Sequence, residues 1–225
     1  MEILRTENVN KIYEDNKVPV HALKNINLKI NKGEYVAIAG PSGSGKTTLL
    51  NLLGTLDKPT SGKIYFENSD FTSKSRKELS EFRLRKLGFI FQAYNLIPVL
   101  TALENIEFSM MLLGVPEKER RERAKNLMAE LGIDGLANKR PNEMSGGQQQ
   151  RVAVARAIVN NPRIVLADEP TANLDSENGS KLLDLMEKMN EEKNITFIFS
   201  SHDKQVIERA RRLILLKDGR IVSEN

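Results

Sequence analysis

The segment 40–47, with the sequence GPSGSGKT, limits the fold of this chain more than any other stretch. It follows a continuous apolar run over 35–39 and precedes leucines at helical spacing over 46–53. A glycine-rich turn in this context, ending in Lys-Thr, is typical of loops that wrap phosphate groups. The same context disfavours the alternative of a flexible Gly/Ser turn. The sequence therefore predicts a strand, a loop and a helix that belong to an α/β fold.

The residue types of this loop indicate its ligand. Glycines allow backbone N–H groups to converge on phosphate oxygens, and the start of the helix adds the positive end of its dipole. Lys46 is predicted to reach the β- and γ-phosphates, and the hydroxyl of Thr47 to bind Mg²⁺. We therefore expect a nucleoside triphosphate with Mg²⁺. The predicted nucleotide-binding residues here are Gly40, Ser42, Gly43, Ser44, Gly45, Lys46, Thr47 and Thr48.

Two carboxylates end a second apolar strand. Asp168 and Glu169 directly follow the run over 164–167, so a parallel sheet would place them at the edge where ligands bind. Asp168 is predicted to hold Mg²⁺, directly or through water, and Glu169 to polarise the attacking water. A helix cap or a turn is the alternative, and the phosphate-binding loop makes it less favoured. Because residue 169 is glutamate and not glutamine, we expect hydrolysis as well as binding.

Two further polar residues follow apolar strands. The amide of Gln92, after the strand that ends at Phe91, could reach Mg²⁺ or the attacking water. His202 follows the run over 196–201 and could hydrogen-bond a γ-phosphate. Each has a simple alternative, an exposed loop glutamine and a surface histidine at a helix start. His21, which precedes an alternating strand, is interpreted as structural.

A second glycine-rich helix start lies at 144–151, with the sequence MSGGQQQR. A nucleotide already held by the loop at 40–47 has little use for a second such helix start on the same subunit. The simplest explanation is that this segment binds a nucleotide held by another copy. The sequence therefore predicts a dimer that closes around nucleotide.

Composition limits the class of protein. The 225 residues suit one α/β domain, and their 34 basic and 30 acidic side chains are interspersed, as in 117–123. Aromatic residues make up 5%, so a nucleic-acid partner is not expected. The chain has no cysteine, which excludes disulfides and thiolate metal sites. No apolar run approaches the roughly 20 residues that cross a bilayer.

Periodicity predicts the remaining elements. Strands are expected over 3–9, 22–30, 64–67, 87–91, 163–168 and 195–200, and a closing hairpin over 213–217 and 220–222. Helices are expected over 79–87, 102–113, 117–131, 147–159, 177–190 and 204–212. The predicted fold is α/β: a P-loop core with a mostly parallel sheet, an N-terminal antiparallel β subdomain and an inserted helical subdomain. Within one domain, 1–225, the helical part is expected at 93–159, and 1–92 with 160–225 form the rest.

Together these motifs resemble the ATP-binding-cassette (ABC) family of transporter ATPases over nearly the whole chain. The matching segments are the phosphate loop 40–47, Gln92 as the Q-loop, 144–148 as the signature, Asp168 and Glu169 as Walker B, 172–175 as the D-loop, and His202 as the switch histidine. The resemblance implies ATP hydrolysis with Lys46, Gln92, Glu169 and His202 as catalytic residues, and Mg²⁺ on Thr47, Gln92 and Asp168. It further implies that Tyr13 stacks on adenine. Residues of the other copy, Ser145, Gly146, Gly147, Gln148 and Asp175, would complete the site.

The stretches 57–62 and 92–105 are similar to the subfamily of lipoprotein-releasing, macrolide- or peptide-export and cell-division ATPase subunits. This resemblance implies a homodimer on the cytoplasmic face of the membrane that drives a separate integral-membrane permease of the exporter or lipoprotein-release type. A non-transporting signalling complex of the cell-division type stays an alternative. The apolar run 96–100 is expected either to dock the permease or to be buried. A soluble ABC ATPase acting on DNA or ribosomes would carry insertions that this sequence lacks, and a P-loop kinase would need no signature segment.

Overall fold

The structure is a computed structural model that describes residues 1–14 and 18–225. Its strands are β1 (Glu2–Tyr13), β2 (Val20–Asn31), β3 (Tyr35–Ala39), β4 (Ser61–Phe66), β5 (Ser69–Asp70), β6 (Leu87–Ile90), β7 (Ile164–Asp168), β8 (Thr196–Ser200), β9 (Arg212–Lys217) and β10 (Arg220–Glu224). Its α-helices are α1 (Lys46–Leu53), α2 (Arg76–Lys86), α3 (Ala102–Leu112), α4 (Glu117–Glu130), α5 (Gly146–Ile158), α6 (Ser176–Lys193) and α7 (Lys204–Arg209). Short 3-10 turns lie at Asp134–Leu136 and Pro141–Glu143.

A six-stranded sheet forms the centre of the fold, in the order β10-β9-β3-β8-β7-β6. The pairs β9/β3, β3/β8, β8/β7 and β7/β6 are parallel, and only the terminal hairpin β9/β10 is antiparallel. All five residues of β3 are buried, as the continuous apolar run over 35–39 indicates for a strand covered on both faces. The predicted α/β core with a mostly parallel sheet is confirmed.

A second, antiparallel sheet lies on one side, with α1 between the two sheets. Its order is β2-β1-β4-β5. One apolar cluster joins Ile26 of this sheet, Leu49 and Leu52 of α1, and Val36 and Ile198 of the parallel sheet. The alternation over 22–30 therefore turns one face of β2 towards α1, and the predicted N-terminal antiparallel part is confirmed.

The opposite face of the parallel sheet packs against helices. A second apolar cluster contains Tyr35 and Phe197 of the sheet, Ile106 of α3, Leu127 of α4 and Val154 of α5. The helices within 93–159 thus share their core with the sheet, and the boundaries of a separate helical subdomain stay a prediction. In the described part of the chain, no helix is both long and apolar enough to cross a membrane.

Helix ends differ from the predictions where other contacts compete with periodicity. Helix α7 ends at Arg209 and not at 212, because Arg212 starts β9 and pairs with Val36 of β3. Helix α2 begins three residues earlier than 79, since Ser75 caps it and exchanges hydrogen bonds with Glu78. These shifts change no residue of the candidate site.

Candidate active site

The loops that follow four parallel strands meet at one edge of the sheet. Ile38 of β3 and Asp168 of β7 both pair with Ser200 of β8, and Ala167 pairs with Ile90 at the end of β6. The loop 40–45 and the polar residues after β6, β7 and β8 therefore extend from the same edge. This is the edge at which open α/β sheets bind ligands.

Close packing explains two glycines of the phosphate-binding loop. Gly45 precedes α1 with φ of 102°, and a Cβ atom there would lie 2.5 Å from the carbonyl oxygen of Ala22. At Gly40 a Cβ atom would lie 2.0 Å from the carbonyl oxygen of Leu216. The loop is thus pressed against β2 and β9, and its remaining side faces the cleft. Any larger residue at either position would push the loop out of place.

Lys46 is held at the base of this loop. Its side chain lies largely below the surface, and Nζ donates hydrogen bonds to the carbonyl oxygens of Gly40 (2.8 Å) and Pro41 (3.1 Å). The ammonium group is therefore placed among backbone groups that also face the cleft. Next to it, the hydroxyl of Thr47 donates to Oδ1 of Asp168 at 3.3 Å.

The carboxylates at the end of β7 have different surroundings. Oδ1 of Asp168 also accepts a hydrogen bond from the hydroxyl of Ser200 at 2.7 Å. Glu169 has a φ of 45°, which is uncommon for a residue other than glycine, and its N–H donates to the carbonyl of Ser200 at 2.8 Å. Backbone strain of this kind concentrates at functional sites. The turn points Asp168 towards Thr47 and Glu169 towards the loop after β8.

Both oxygens of Glu169 are engaged by that loop. Oε2 accepts a hydrogen bond from the hydroxyl of Ser201 at 2.7 Å, and Nδ1 of His202 lies 2.6 Å from Oε1. The His202 side chain is 75% exposed, whereas that of Glu169 is 15% exposed. Glu169 is therefore fixed in orientation, and His202 stays accessible to a ligand. Ser201 is the last residue of the run over 196–201, and its contact with Glu169 was not predicted.

One cleft of about 840 Å³ brings most of the predicted residues together. It is lined by Tyr13, the phosphate-binding loop with Lys46, Thr47 and Thr48, Gln92, Glu169 and His202. His21, which was interpreted as structural, is exposed and lines the same cleft. Val20 and Lys24 also line it and were not predicted. Both lie in β2, an edge strand of the antiparallel sheet, and its alternating pattern does not distinguish residues that face a ligand.

The second glycine-rich helix start lies elsewhere on the molecule. Ser145 caps α5: its hydroxyl accepts from the N–H of Gln148 (3.3 Å), and Oε1 of Gln148 accepts from the N–H of Ser145 (3.0 Å). Asp175 caps α6 in a similar way, and the hydrogen bond from the N–H of Asn178 lowers the pKa of its carboxyl group. Within the described parts of the chain, neither Asp175 nor any residue of 144–148 lines the cleft.

A tight junction connects the loop after Gln92 to this helix start. Asn173 donates a hydrogen bond to the carbonyl of Gln92 at 2.8 Å, and Nη2 of Arg156, in α5, donates to the carbonyl of Tyr94 at 2.9 Å. A Cβ atom on Gly146 would lie 2.7 Å from the hydroxyl oxygen of Tyr94. Partial burial raises the pKa of Tyr94, so that hydroxyl is protonated at neutral pH. The loop and the start of α5 are therefore in direct contact.

Sequence comparison gives a family and named relatives. Residues 23–172 match the profile of the family described as ABC transporter. The chain is 48% identical to an uncharacterised ABC transporter ATP-binding protein of Methanocaldococcus jannaschii, MJ0796, with 99% of this chain and 96% of that protein covered. It is 46% identical to the lipoprotein-releasing system ATP-binding protein LolD of Aquifex aeolicus, with 99% and 97% covered. It is also 43% identical to the macrolide export ATP-binding/permease protein MacB of Mannheimia succiniciproducens, of which it spans 35%.

Solved structures agree with these matches. A dimeric structure of the MJ0796 cassette superposes with a TM-score of 0.93 at 46% identity, covering 99% of this chain and 98% of that one. A second structure of that cassette, described as a dimeric post-hydrolysis state bound to ADP and Pi, has the same TM-score and coverage. Since identity is high and coverage nearly complete, the likeness extends beyond the fold to the sequence of the whole cassette.

Proposed function

Since the chain belongs to the ABC transporter family, as an ATP-binding and ATP-hydrolysing subunit, we propose that two copies pack head to tail around two ATP molecules. One observation carries this proposal: among the described residues, the cleft with Lys46 and Glu169 does not include the start of α5. The first N–H groups of a helix have no partner within the helix and suit an anion. In a head-to-tail pair, Ser145 and Gly147 of one copy cap the ATP held by the other. The dimeric MJ0796 structures support this arrangement.

ATP binds with its triphosphate on the loop 40–47 and its base towards Tyr13. Lys46 turns from two neutral carbonyl acceptors to the β- and γ-phosphates, whose negative charge attracts the ammonium group more strongly than a carbonyl dipole does. The N–H groups of Ser42 to Thr48 supply further donors. The ring of Tyr13 offers a flat apolar surface to adenine.

The residues near Asp168 fit a magnesium ion. Its carboxylate lies within 3.3 Å of the Thr47 hydroxyl, and the amide of Gln92 lines the same cleft. These are the hard oxygen ligands that Mg²⁺ prefers, and a site with so few protein ligands leaves positions for phosphate oxygens and water. When bound, Mg²⁺ would neutralise charge on the β- and γ-phosphates.

For hydrolysis, we propose that Glu169 orients the attacking water. The water oxygen bonds to the γ-phosphorus while the bond to the β–γ bridging oxygen breaks, and one proton of the water passes to the carboxylate of Glu169. Lys46 stabilises the charge that moves onto the leaving phosphate. Ser201 and His202 hold the two oxygens of Glu169, which fixes the direction from which the water approaches. His202 is exposed enough to hydrogen-bond the γ-phosphate as well.

Hydrolysis opens the dimer. The γ-phosphate is contacted from both copies, so its release removes contacts that hold the pair together. Because the two copies use the same surfaces, the interface is isologous and closes as a dimer. The open and closed states present different surfaces to a partner, and this difference couples ATP to mechanical work.

A membrane permease is the proposed partner, and it docks on the cytoplasmic face of the membrane. A groove of about 440 Å³ lies between α2, β6, α3 and α5, and Leu84, Phe91 and Leu112 contribute apolar surface to it. Nearby, the run 96–100 is divided: Leu96 packs against the helical core, whereas Val99 is 74% exposed. The relatives LolD and MacB support a permease of the lipoprotein-release or export type.

The test uses a hydrolysis-deficient variant. In Glu169→Gln the water is no longer activated, so ATP should trap a dimer that size-exclusion chromatography with light scattering detects. Adding Ser145→Arg should prevent the dimer, because the long cationic side chain fills the space of the partner's phosphates. Ser73→Arg, on an exposed serine remote from α5, is the matched control and should dimerise normally. If Glu169→Gln stays monomeric with ATP at high protein concentration, the two-site dimer is wrong.

A further inference from the structure

The ring of Tyr13 lies between the cleft and an ammonium group. Lys11 precedes it by two residues in β1, so both side chains leave the same face of the strand. Nζ of Lys11 lies 4.8 Å from the ring centroid, within the range of a cation–π contact. Tyr13 lines the cleft whereas Lys11 does not. The cation therefore covers the ring from the side that does not face the nucleotide site.

Asp57 holds both side chains at once. Nζ of Lys11 lies 2.8 Å from Oδ1 and 2.7 Å from Oδ2 of Asp57, and the hydroxyl of Tyr13 donates to Oδ2 at 3.2 Å. The carbonyl of Lys58 accepts a further hydrogen bond from Lys11 at 3.0 Å. Partial burial opposes ionisation, but the hydrogen bonds from Lys11, the Lys58 N–H and Tyr13 together keep the pKa of Asp57 below its usual value. Asp57 is thus a carboxylate at neutral pH.

This carboxylate is tied to the helix that starts at the phosphate-binding loop. The N–H groups of Leu56 and Asp57 both point to the carbonyl of Asn51 in α1, at 2.9 and 3.4 Å. Lys46 begins the same helix. The side chain of Lys11 is only 13% exposed, so this contact is shielded better than a typical surface ion pair. Helix α1 therefore connects the phosphate site to the group that holds Tyr13.

We propose that Lys11 and Asp57 are positioning residues for the base of ATP: they fix the ring of Tyr13 at a set distance from the phosphate-binding loop. This rests on the proposed role of Tyr13 as the surface on which adenine stacks. Lys11 covers one face of the ring, Asp57 anchors its hydroxyl, and the remaining face is presented to the base. ATP then meets a ring that is already ordered, and binding does not bear the entropy cost of ordering it.

The pair acts on nucleotide binding and not on the chemical step. Without Lys11, the ring loses its cation–π contact and gains rotamers, and we expect ATP to bind about three- to tenfold more weakly. The base contact is the same in the ground state and the transition state, so KM should rise while kcat stays within about twofold. A ligand without a base should bind as before.

Four variants test the proposal: Lys11→Met, Asp57→Asn, the conservative Lys11→Arg, and the control Lys63→Met. Lys63 forms an ion pair with Asp70 at 3.7 Å in the same antiparallel sheet, remote from Tyr13. ATP binding is measured in the Ser145→Arg background, so that single copies are compared, and kcat and KM are measured in the native chain. Inorganic tripolyphosphate, as a competitor of ATP, probes the phosphate site alone.

Lys11→Met and Asp57→Asn should weaken ATP binding and raise KM, with the inhibition constant of tripolyphosphate unchanged. Lys11→Arg should restore most of the affinity, and Lys63→Met should behave as the native chain. In a Tyr13→Leu background, Lys11→Met should have no further effect, because the ring on which it acts is gone. Equal weakening of tripolyphosphate, or an undiminished effect without Tyr13, would overturn the proposal. Since binding is measured on single copies, failure of the dimer leaves this test intact.

Discussion

The variant Gly147→Ala tests why a glycine stands at the start of α5. Either the backbone needs the freedom of glycine, or the helix start must approach the partner's phosphate closely. Gly147 is the second residue of the helix, and an added Cβ atom would meet nothing nearer than the Asn178 side chain at 3.7 Å, an ordinary van der Waals distance. At Gly146 the corresponding atom would lie 2.7 Å from the hydroxyl of Tyr94. Within one copy, therefore, position 147 accepts a methyl group without any shift, whereas at position 146 the side chain of Tyr94 would have to move.

The expected effects on stability and on dimerisation have opposite signs. Alanine in a helix is favoured over glycine, so the free energy of unfolding should rise by about 0.5 kcal/mol. For a chain of this size, that corresponds to about 1–2 °C in Tm. In the dimer, the methyl group separates the helix start from the partner's γ-phosphate. Losing one charge-assisted hydrogen bond at each of the two sites costs about 3–6 kcal/mol, or a 10²- to 10⁴-fold weaker dimer.

The assay is ATP-dependent dimerisation in the Glu169→Gln background over a range of protein concentrations, with Tm measured on the same samples without nucleotide. Gly179→Ala is the matched control: it lies in the first turn of α6, and its Cβ atom would meet Thr171 at 3.6 Å. Neither variant should lower Tm, since both replace a helical glycine by alanine, and only Gly147→Ala should remain monomeric with ATP. Normal dimerisation of Gly147→Ala would refute the close approach of α5 to the partner's phosphates, and a lowered Tm would refute the packing argument.

Two predictions concern the stability of the helical region. Asn105 is fully buried: its Oδ1 accepts a hydrogen bond from the N–H of Ile97 at 2.8 Å, and its Nδ2 donates to carbonyls of the same loop. Asn105→Leu should therefore lower Tm by several degrees, because each buried group left without a partner costs about 1–3 kcal/mol. The control Asn142→Leu, at an exposed position, should leave Tm unchanged. Burial raises the pKa of Glu107 above its unfolded value, and the ion pair with Arg120 at 3.7 Å offsets this only in part, so the ionised form of Glu107 costs stability at neutral pH. Glu107→Gln should raise Tm at pH 7, and the gain should vanish as the pH falls towards the usual glutamate pKa. The exposed control Glu81→Gln, in α2, should show no such gain. A constant difference in Tm across pH would contradict the reasoning.

Local sequence patterns predicted those elements whose buried residues recur at a regular spacing or form a continuous apolar run. The alternation over 22–30 and the continuous apolar runs of β3, β7 and β8 reappear as buried positions of the two sheets. The start of α2 was predicted too late, although Ser75 and Glu78 have the spacing of a capping box and carried the signal. The end of α7 had no local signal, because the pairing of Arg212 with β3 joins residues 176 positions apart in the chain, 212 against 36.

The site residues that could be predicted from the sequence are those that directly follow a strand. Asp168, Glu169 and Gln92 follow apolar strands, and parallel pairing alone brings such positions to one edge. The hydroxyl groups that hold the two carboxylates were not predictable, since Ser200 and Ser201 reach them across adjacent strands, 32 residues along the chain. Their contacts depend on the register between β7 and β8, and two strands that are apolar throughout carry no alternation that would specify it.

The junction between the Gln92 loop and α5 is the route by which we expect the two ATP sites of the proposed dimer to influence each other. Gln92 lines the cleft of its own copy, whereas Gly146 lies at the helix start that would cap the partner's ATP. The hydroxyl of Tyr94 lies 2.7 Å from the place of a Cβ atom on Gly146, and Asn173 holds the carbonyl of Gln92. These residues lie near the surface, so the coupling between the two segments depends on the hydrogen bond from Asn173 and on the ring of Tyr94. We therefore expect that a shift of Gln92 on loss of phosphate would move the start of α5, and with it the contact to the second ATP.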